Sequence, residues 1–105
     1  MIHDVSFMKN LKKLNAYYDC GIDQNSINGL NLIVFDANYN HKIKNVSFMT
    51  NLKKLEASGD CGIDQNGIEG LNLVELAVNG NYKIKNVSFM KKLKKLHAAN
   101  NCGIM

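Results

Sequence analysis

The sequence predicts a repeat solenoid, a stack of about five coils of 20–21 residues forming a single domain over residues 1–105. Two observations predict it. Shifted by 41 positions the chain nearly coincides with itself: 5–45 matches 46–86 at 28 of 41 positions, and 87–105 begins a third copy. Each copy also holds two related halves, because Leu11-x-x-Leu14-x-Ala16, Leu32-x-x-Phe35-x-Ala37, Leu52-x-x-Leu55-x-Ala57, Leu73-x-x-Leu76-x-Val78 and Leu93-x-x-Leu96-x-Ala98 recur at steps of 21, 20, 21 and 20. A unit this short cannot bury an apolar face alone, so successive units stack and share a continuous core.

Within a coil two local readings compete. Val5, Met8, Leu11 and Leu14 are spaced like one face of a helix, which would make 5–18 an amphipathic helix. The rest of the coil argues for a strand. The run Leu93-Lys-Lys-Leu96-His-Ala98-Ala-Asn-Asn101-Cys-Gly-Ile104 resembles the leucine-rich repeat pattern: a short strand with alternating inward residues, an Asn at the turn and an apolar residue that re-enters the core. Asp19, Asn40, Asp60, Asn81 and Asn101 hold the turn position in the five coils, where such side chains bond turn backbone and stack as a ladder. Ile22, Ile43, Ile63, Ile84 and Ile104 then point inward, followed by Ile27 and Leu30 in one kind of coil and by Val46 and Met49 in the other.

The chain thus resembles leucine-rich repeat proteins over essentially its whole length. The half running from Asn40 through Asn-Val46-Ser-Phe-Met49 to Leu52-Lys-Lys-Leu55 is similar to the short-coil, internalin-like style. That resemblance implies an α/β solenoid, a right-handed superhelix with short parallel strands on a concave face and irregular or 3₁₀ structure on the convex side. Ala or Val at the third strand position, where Leu is usual, and the alternation of two coil types depart from the style. Asn-Val-Ser-Phe-Met, Leu-Lys-Lys-Leu, Cys-Gly-Ile-Asp-Gln-Asn and Gly-Leu-Asn-Leu, in a Lys- and Asn-rich chain, are also similar to leucine-rich repeat proteins of giant amoebal, mimivirus-like DNA viruses. Neither end shows the polar cap that usually closes a solenoid, which raises the expectations of self-association through the ends or of a longer array.

A net charge of +4 comes entirely from Lys, with no Arg, and favours acidic partners only weakly. No apolar run is long enough to span a bilayer and no signal-peptide pattern opens the chain, so no membrane is expected and the expected compartment is the cytoplasm, the host's if the protein is viral. Cys20, Cys61 and Cys102 are one cysteine copied by the duplication. Two coils apart, they lie about 10 Å from one another, too far for a disulfide, and are expected as free thiols near the core.

The copies differ mainly at strand positions expected to face the concave surface. Shape-bearing residues stayed fixed while the candidate contact face drifted. That face comprises Lys13, Asn15, Tyr17, Tyr18, Val34, Asp36, Asn38, Tyr39, Lys54, Glu56, Ser58, Glu75, Asn79, Lys95 and His97. Tyr17, Tyr18 and Tyr39 are the candidate anchors, since aromatic rings supply contact energy at low entropic cost. The pairs Lys12-Lys13, Lys53-Lys54 and Lys94-Lys95 form a column at about 10 Å spacing. Acidic neighbours and the absence of Arg disfavour nucleic acid there. Cys20, His41 and Cys61 share one coil position, yet Tyr82 follows in place of a fourth ligand, so no metal is expected. No nucleophile and base pair stands out, and neither catalytic residues nor a cofactor is expected. The function expected is non-enzymatic recognition of a protein partner through the concave face. The alternatives are head-to-tail self-assembly and, behind it, polyanion binding along the lysine column.

Overall fold

A computed structural model describes residues 8–18, 21–99 and 103. It is a β-solenoid of about four turns, carrying five short strands: β1 (Lys13–Asn15), β2 (Val34–Asp36), β3 (Lys54–Glu56), β4 (Glu75–Ala77) and β5 (Lys95–His97). They form one parallel sheet in chain order. Register follows the repeat without slippage, aligning Lys13, Val34, Lys54, Glu75 and Lys95 in one row and Asn15, Asp36, Glu56, Ala77 and His97 in another. The strand reading of 13–15 therefore prevails over the helical one. Five strands are joined by four complete connections, so the expected five coils make about four turns.

The middle residue of each strand fixes the register. Phe35, Leu55 and Leu76 are fully buried and Leu14 partly so, and a slip of one residue would turn this apolar row to solvent. The third-position residues Ala16, Ala37, Ala57 and Val78 are buried beside it. Beyond them the ladder continues: Tyr18 donates to Asn38 O at 2.8 Å, Tyr39 to Ser58 O at 3.0 Å, Gly59 to Asn79 O at 2.7 Å and Gly80 to Ala99 O at 2.8 Å. Ile22, Ile27, Leu30, Ile43, Val46, Met49, Ile63, Ile68, Ile84 and Met90 close the core from the opposite side, as their spacing predicts.

The turn ladder differs from expectation. Asn40 and Asn81 are buried, and each amide is fully used. Asn40 Nδ2 donates to Ala16 O at 2.7 Å and Ile22 O at 3.0 Å, while its Oδ1 accepts the Lys42 amide at 3.0 Å. Asn81 repeats this with Ala57 O, Ile63 O and the Lys83 amide at 2.8, 3.1 and 2.9 Å. Asp60, expected in the same ladder, is exposed. Cys61 takes the inner place instead, fully buried, its thiol donating to Ala57 O at 3.1 Å and accepting from Asn81 Nδ2 at 3.4 Å. A carboxylate in that position would be stripped of water against the Ala57 carbonyl with no proton to donate, whereas the thiol donates to it. Among the described residues the Cys61 rung thus lies between the Asn40 and Asn81 rungs. Asp19, Cys20, Asn101, Cys102 and Ile104 lie outside the described residues.

Among the described residues the side opposite the sheet is mostly turns, with one helical turn, α1 (Gln24–Ile27), and one 3₁₀ turn at Asn66–Ile68. Asp23 caps α1 in a reciprocal box with Ser26, and hydrogen bonds from the Ser26 hydroxyl and amide hold the Asp23 carboxyl below its ordinary value. Gln24 and Gln65 tie each such turn to the next coil. The Oε1 of Gln24 accepts the amides of Lys44 and Asn45, both at 2.8 Å, and Gln65 does the same for Lys85 and Asn86 at 2.8 and 2.9 Å. Coils also approach closely at Gly62, where a Cβ would sit 2.6 Å from both His41 O and Ile43 O.

Candidate recognition face

The strand residues that alternate with the central Leu and Phe form two rows across the sheet, and two more rows follow beyond the strands. The first holds Lys13, Val34, Lys54, Glu75 and Lys95; the second Asn15, Asp36, Glu56, Ala77 and His97. Beyond the strands, Tyr17, Asn38, Ser58 and Asn79 follow, and then Tyr18, Tyr39, Gly59 and Gly80. The face read from the sequence is therefore one contiguous surface. One member differs in role: Ser58 is only 8% exposed. Its amide bonds Asn38 Oδ1 at 2.7 Å and its hydroxyl accepts the Asn79 amide at 3.1 Å, so it is a rung that extends the sheet. Asn38 and Asn79 belong to the same ladder, with Asn79 Oδ1 accepting the Ala99 amide at 2.8 Å. Ala77 is likewise buried.

The fourth row shares an unusual backbone. Tyr18 and Tyr39 have φ of 59° and 63°, and Gly59 and Gly80 have φ of 69° and 75°. This left-handed conformation suits glycine and costs a bulky side chain about 1 kcal/mol. The first copy nevertheless places aromatic residues there. Tyr18 and Tyr39 stack nearly parallel, centroids 5.0 Å apart and planes 9° from each other, and Tyr17 leans on Tyr18 at 4.7 Å. Gly59 makes the space: a Cβ there would fall into the Tyr39 ring, 2.8 Å from Cζ and nearer still to Cε1. The three rings remain 46%, 55% and 46% exposed. Contacts of this kind each contribute about 0.5–1.5 kcal/mol, comparable to the backbone cost.

Charge on the face is unevenly arranged. The lysine column is interrupted, with Val34 between Lys13 and Lys54 and Glu75 between Lys54 and Lys95. Glu75 Oε2 lies 3.7 Å from Lys54 Nζ and 3.8 Å from His97 Nε2. Asp36 and Glu56 stand side by side on β2 and β3. Burial, and secondarily the charge of Glu56, push the Asp36 carboxyl above its ordinary value, although the Asn38 amide bonds it. Two shallow hollows flank these residues, one of about 290 Å³ reaching from Lys13 and Asn15 to Glu56, the other of about 240 Å³ between Glu56 and His97.

Of the three residues that share one coil position, His41 is exposed, Cys61 is buried and Cys20 lies outside the described residues, and no group of three ligating side chains exists among the described residues. Burial pushes the Cys61 thiol up to about 11, which removes it as a thiolate nucleophile near neutrality. Sequence reasoning missed Gly59 as the seat of Tyr39 and Gln24 and Gln65 as clamps. The repeated Asp-Gln-Asn of both copies was the available signal for the second. Among the described residues no helix is long and apolar enough to cross a membrane. No protein-family model matches the chain, and comparison with characterised proteins and with solved structures gives no match.

Proposed function

We propose that this chain is a leucine-rich repeat protein of the short-coil style, and that it acts as a non-enzymatic module binding a protein partner through the outer face of its sheet. The observation that carries the reading is the tyrosine row. Two aromatic side chains occupy backbone positions that favour glycine, a third leans on them, and a glycine in the next coil clears room for the stack. Solvation alone gives no reason to hold apolar rings there. Preorganised rings on a rigid sheet lose little entropy on binding, which is what a recognition anchor requires. The Lys- and Asn-rich wording of the repeats supports an origin among giant amoebal viruses, with action in the host cytoplasm. Replacing Tyr17, Tyr18 and Tyr39 together by Ala is expected to abolish capture of the partner with unchanged far-ultraviolet circular dichroism. Capture that survives the triple change disproves the reading.

Head-to-tail self-assembly is the second reading. Among the described residues Leu96 on β5, the last strand in the sheet order, is 40% exposed, while Phe35, Leu55 and Leu76 in the same row are buried. A contact of that kind is heterologous and extends to rings or filaments. Light scattering over a hundredfold concentration range would show mass rising with concentration, and Leu96→Lys would abolish the rise. A constant monomer refutes it.

A further inference from the structure

The tyrosine row and the acidic pair share one half of the face. In the second copy the positions of Tyr18 and Tyr39 are Gly59 and Gly80, that of Asp36 is Ala77, and the coil after it places His97 at the position of Glu56. Two features of different chemistry thus coincide over β1 to β3 and are both missing over β4 and β5. We propose that this half receives a cationic peptide segment, with an Arg or Lys head group across Asp36 and Glu56 and its stem and an adjoining apolar residue against Tyr17, Tyr18 and Tyr39. The proposal rests on the protein-recognition reading and gives the partner its chemistry.

Charge complementarity selects this occupant. Asp36 and Glu56 are register partners, so their backbones are about 5 Å apart. The Asp36 Oδ1 accepts the Asn38 amide at 3.0 Å and the Glu56 Oε1 accepts Asn38 Nδ2 at 3.1 Å. The second oxygen of each carboxylate takes no hydrogen bond among the described residues. Lys54 on β3 pairs with Glu75 and is the smallest of the influences on the Asp36 carboxyl, and Lys13 borders the pair from the far end of the strands. A cation therefore approaches from the tyrosine side. Two half-buried like charges raise each other's energy, and a guanidinium between them relieves this while matching carboxylate geometry. The aliphatic stem of Arg or Lys covers aromatic surface as the head group reaches the acids. The chain as a whole carries +4, so general electrostatics repels such a peptide and any preference for it has to arise locally.

The test is selection from a bead-displayed library of random peptides against the intact chain, the Asp36→Asn/Glu56→Gln variant and the triple tyrosine-to-alanine variant, each checked for fold by circular dichroism. Wild type is expected to enrich peptides pairing Arg or Lys with an apolar neighbour. The charge-neutral variant should bind those peptides about tenfold more weakly, and the tyrosine variant should lose them. Enrichment without an excess of Arg or Lys, or undiminished in the charge-neutral variant, overturns the cationic occupant and leaves the tyrosine face standing. Enrichment that needs the acids but survives loss of the tyrosines overturns the recognition reading itself. No enrichment on wild type overturns the proposal.

Discussion

Gly59→Ala tests how the face is built. The added methyl has two separable costs. At φ of 69° an L side chain loses about 1 kcal/mol relative to its relaxed backbone. The methyl also enters the space of the Tyr39 ring, so the ring must swing off its stack with Tyr18, forfeiting about 1 kcal/mol of aromatic contact. The single change should therefore cost about 2 kcal/mol. In a Tyr39→Ala background no ring stands in the way, and only the backbone cost of about 1 kcal/mol remains. The assay is a double-mutant cycle by urea unfolding, with near-ultraviolet dichroism reporting the tyrosine stack. A coupling energy of about 1 kcal/mol is expected. Coupling within about 0.3 kcal/mol of zero would refute the idea that Gly59 exists to seat Tyr39.

Two further outcomes are expected. Asn81→Ala strands the Ile63 carbonyl and the Lys83 amide and leaves the Ala57 carbonyl to the weaker Cys61 thiol, and should cost about 3 kcal/mol in urea unfolding, whereas Asn72→Ala, which removes one exposed bond to the Lys92 amide, should cost no more than about 1 kcal/mol; equal costs would sink the Asn rung as a structural device. Cys61 ionises at about 11 when folded against an ordinary 9.0, so above pH 9 the unfolded chain gives up this proton first and stability falls as pH rises towards 11, by about 2–3 kcal/mol in all. In a Cys20→Ser/Cys102→Ser background, urea unfolding should show that fall, and replacing Cys61 by Ala should remove it; an unchanged pH profile contradicts the assignment.

The repeat made much of this molecule legible in advance. A 41-residue period, halved by Leu-x-x-Leu-x-Ala, dictates stacked coils because each unit has one apolar row and no other means of burying it. Strand positions, the inward Ile column and the outward face follow from period-2 alternation, which is local and written in the residue order. What the sequence misjudged were rungs that depend on the neighbouring coil. Asp60 and Asn81 look equivalent in a linear pattern, yet the Asn81 amide can donate to two buried carbonyls, while a carboxylate has no proton to donate and keeps its charge in water, so Asp60 is exposed and Cys61 turns in. Ser58 reads as a surface residue until Asn38 and Asn79 enclose it.

By itself, then, the sequence determined the solenoid and its register, because stacking identical units leaves little freedom. Only the tertiary structure decided that Tyr39 lies over Gly59, twenty residues on, that Tyr18 stacks against it, and that Asp36 and Glu56 stand side by side on β2 and β3. Those relations run across coils, where the spacing between stacked backbones sets which side chains meet, and no local pattern in the chain encodes that distance.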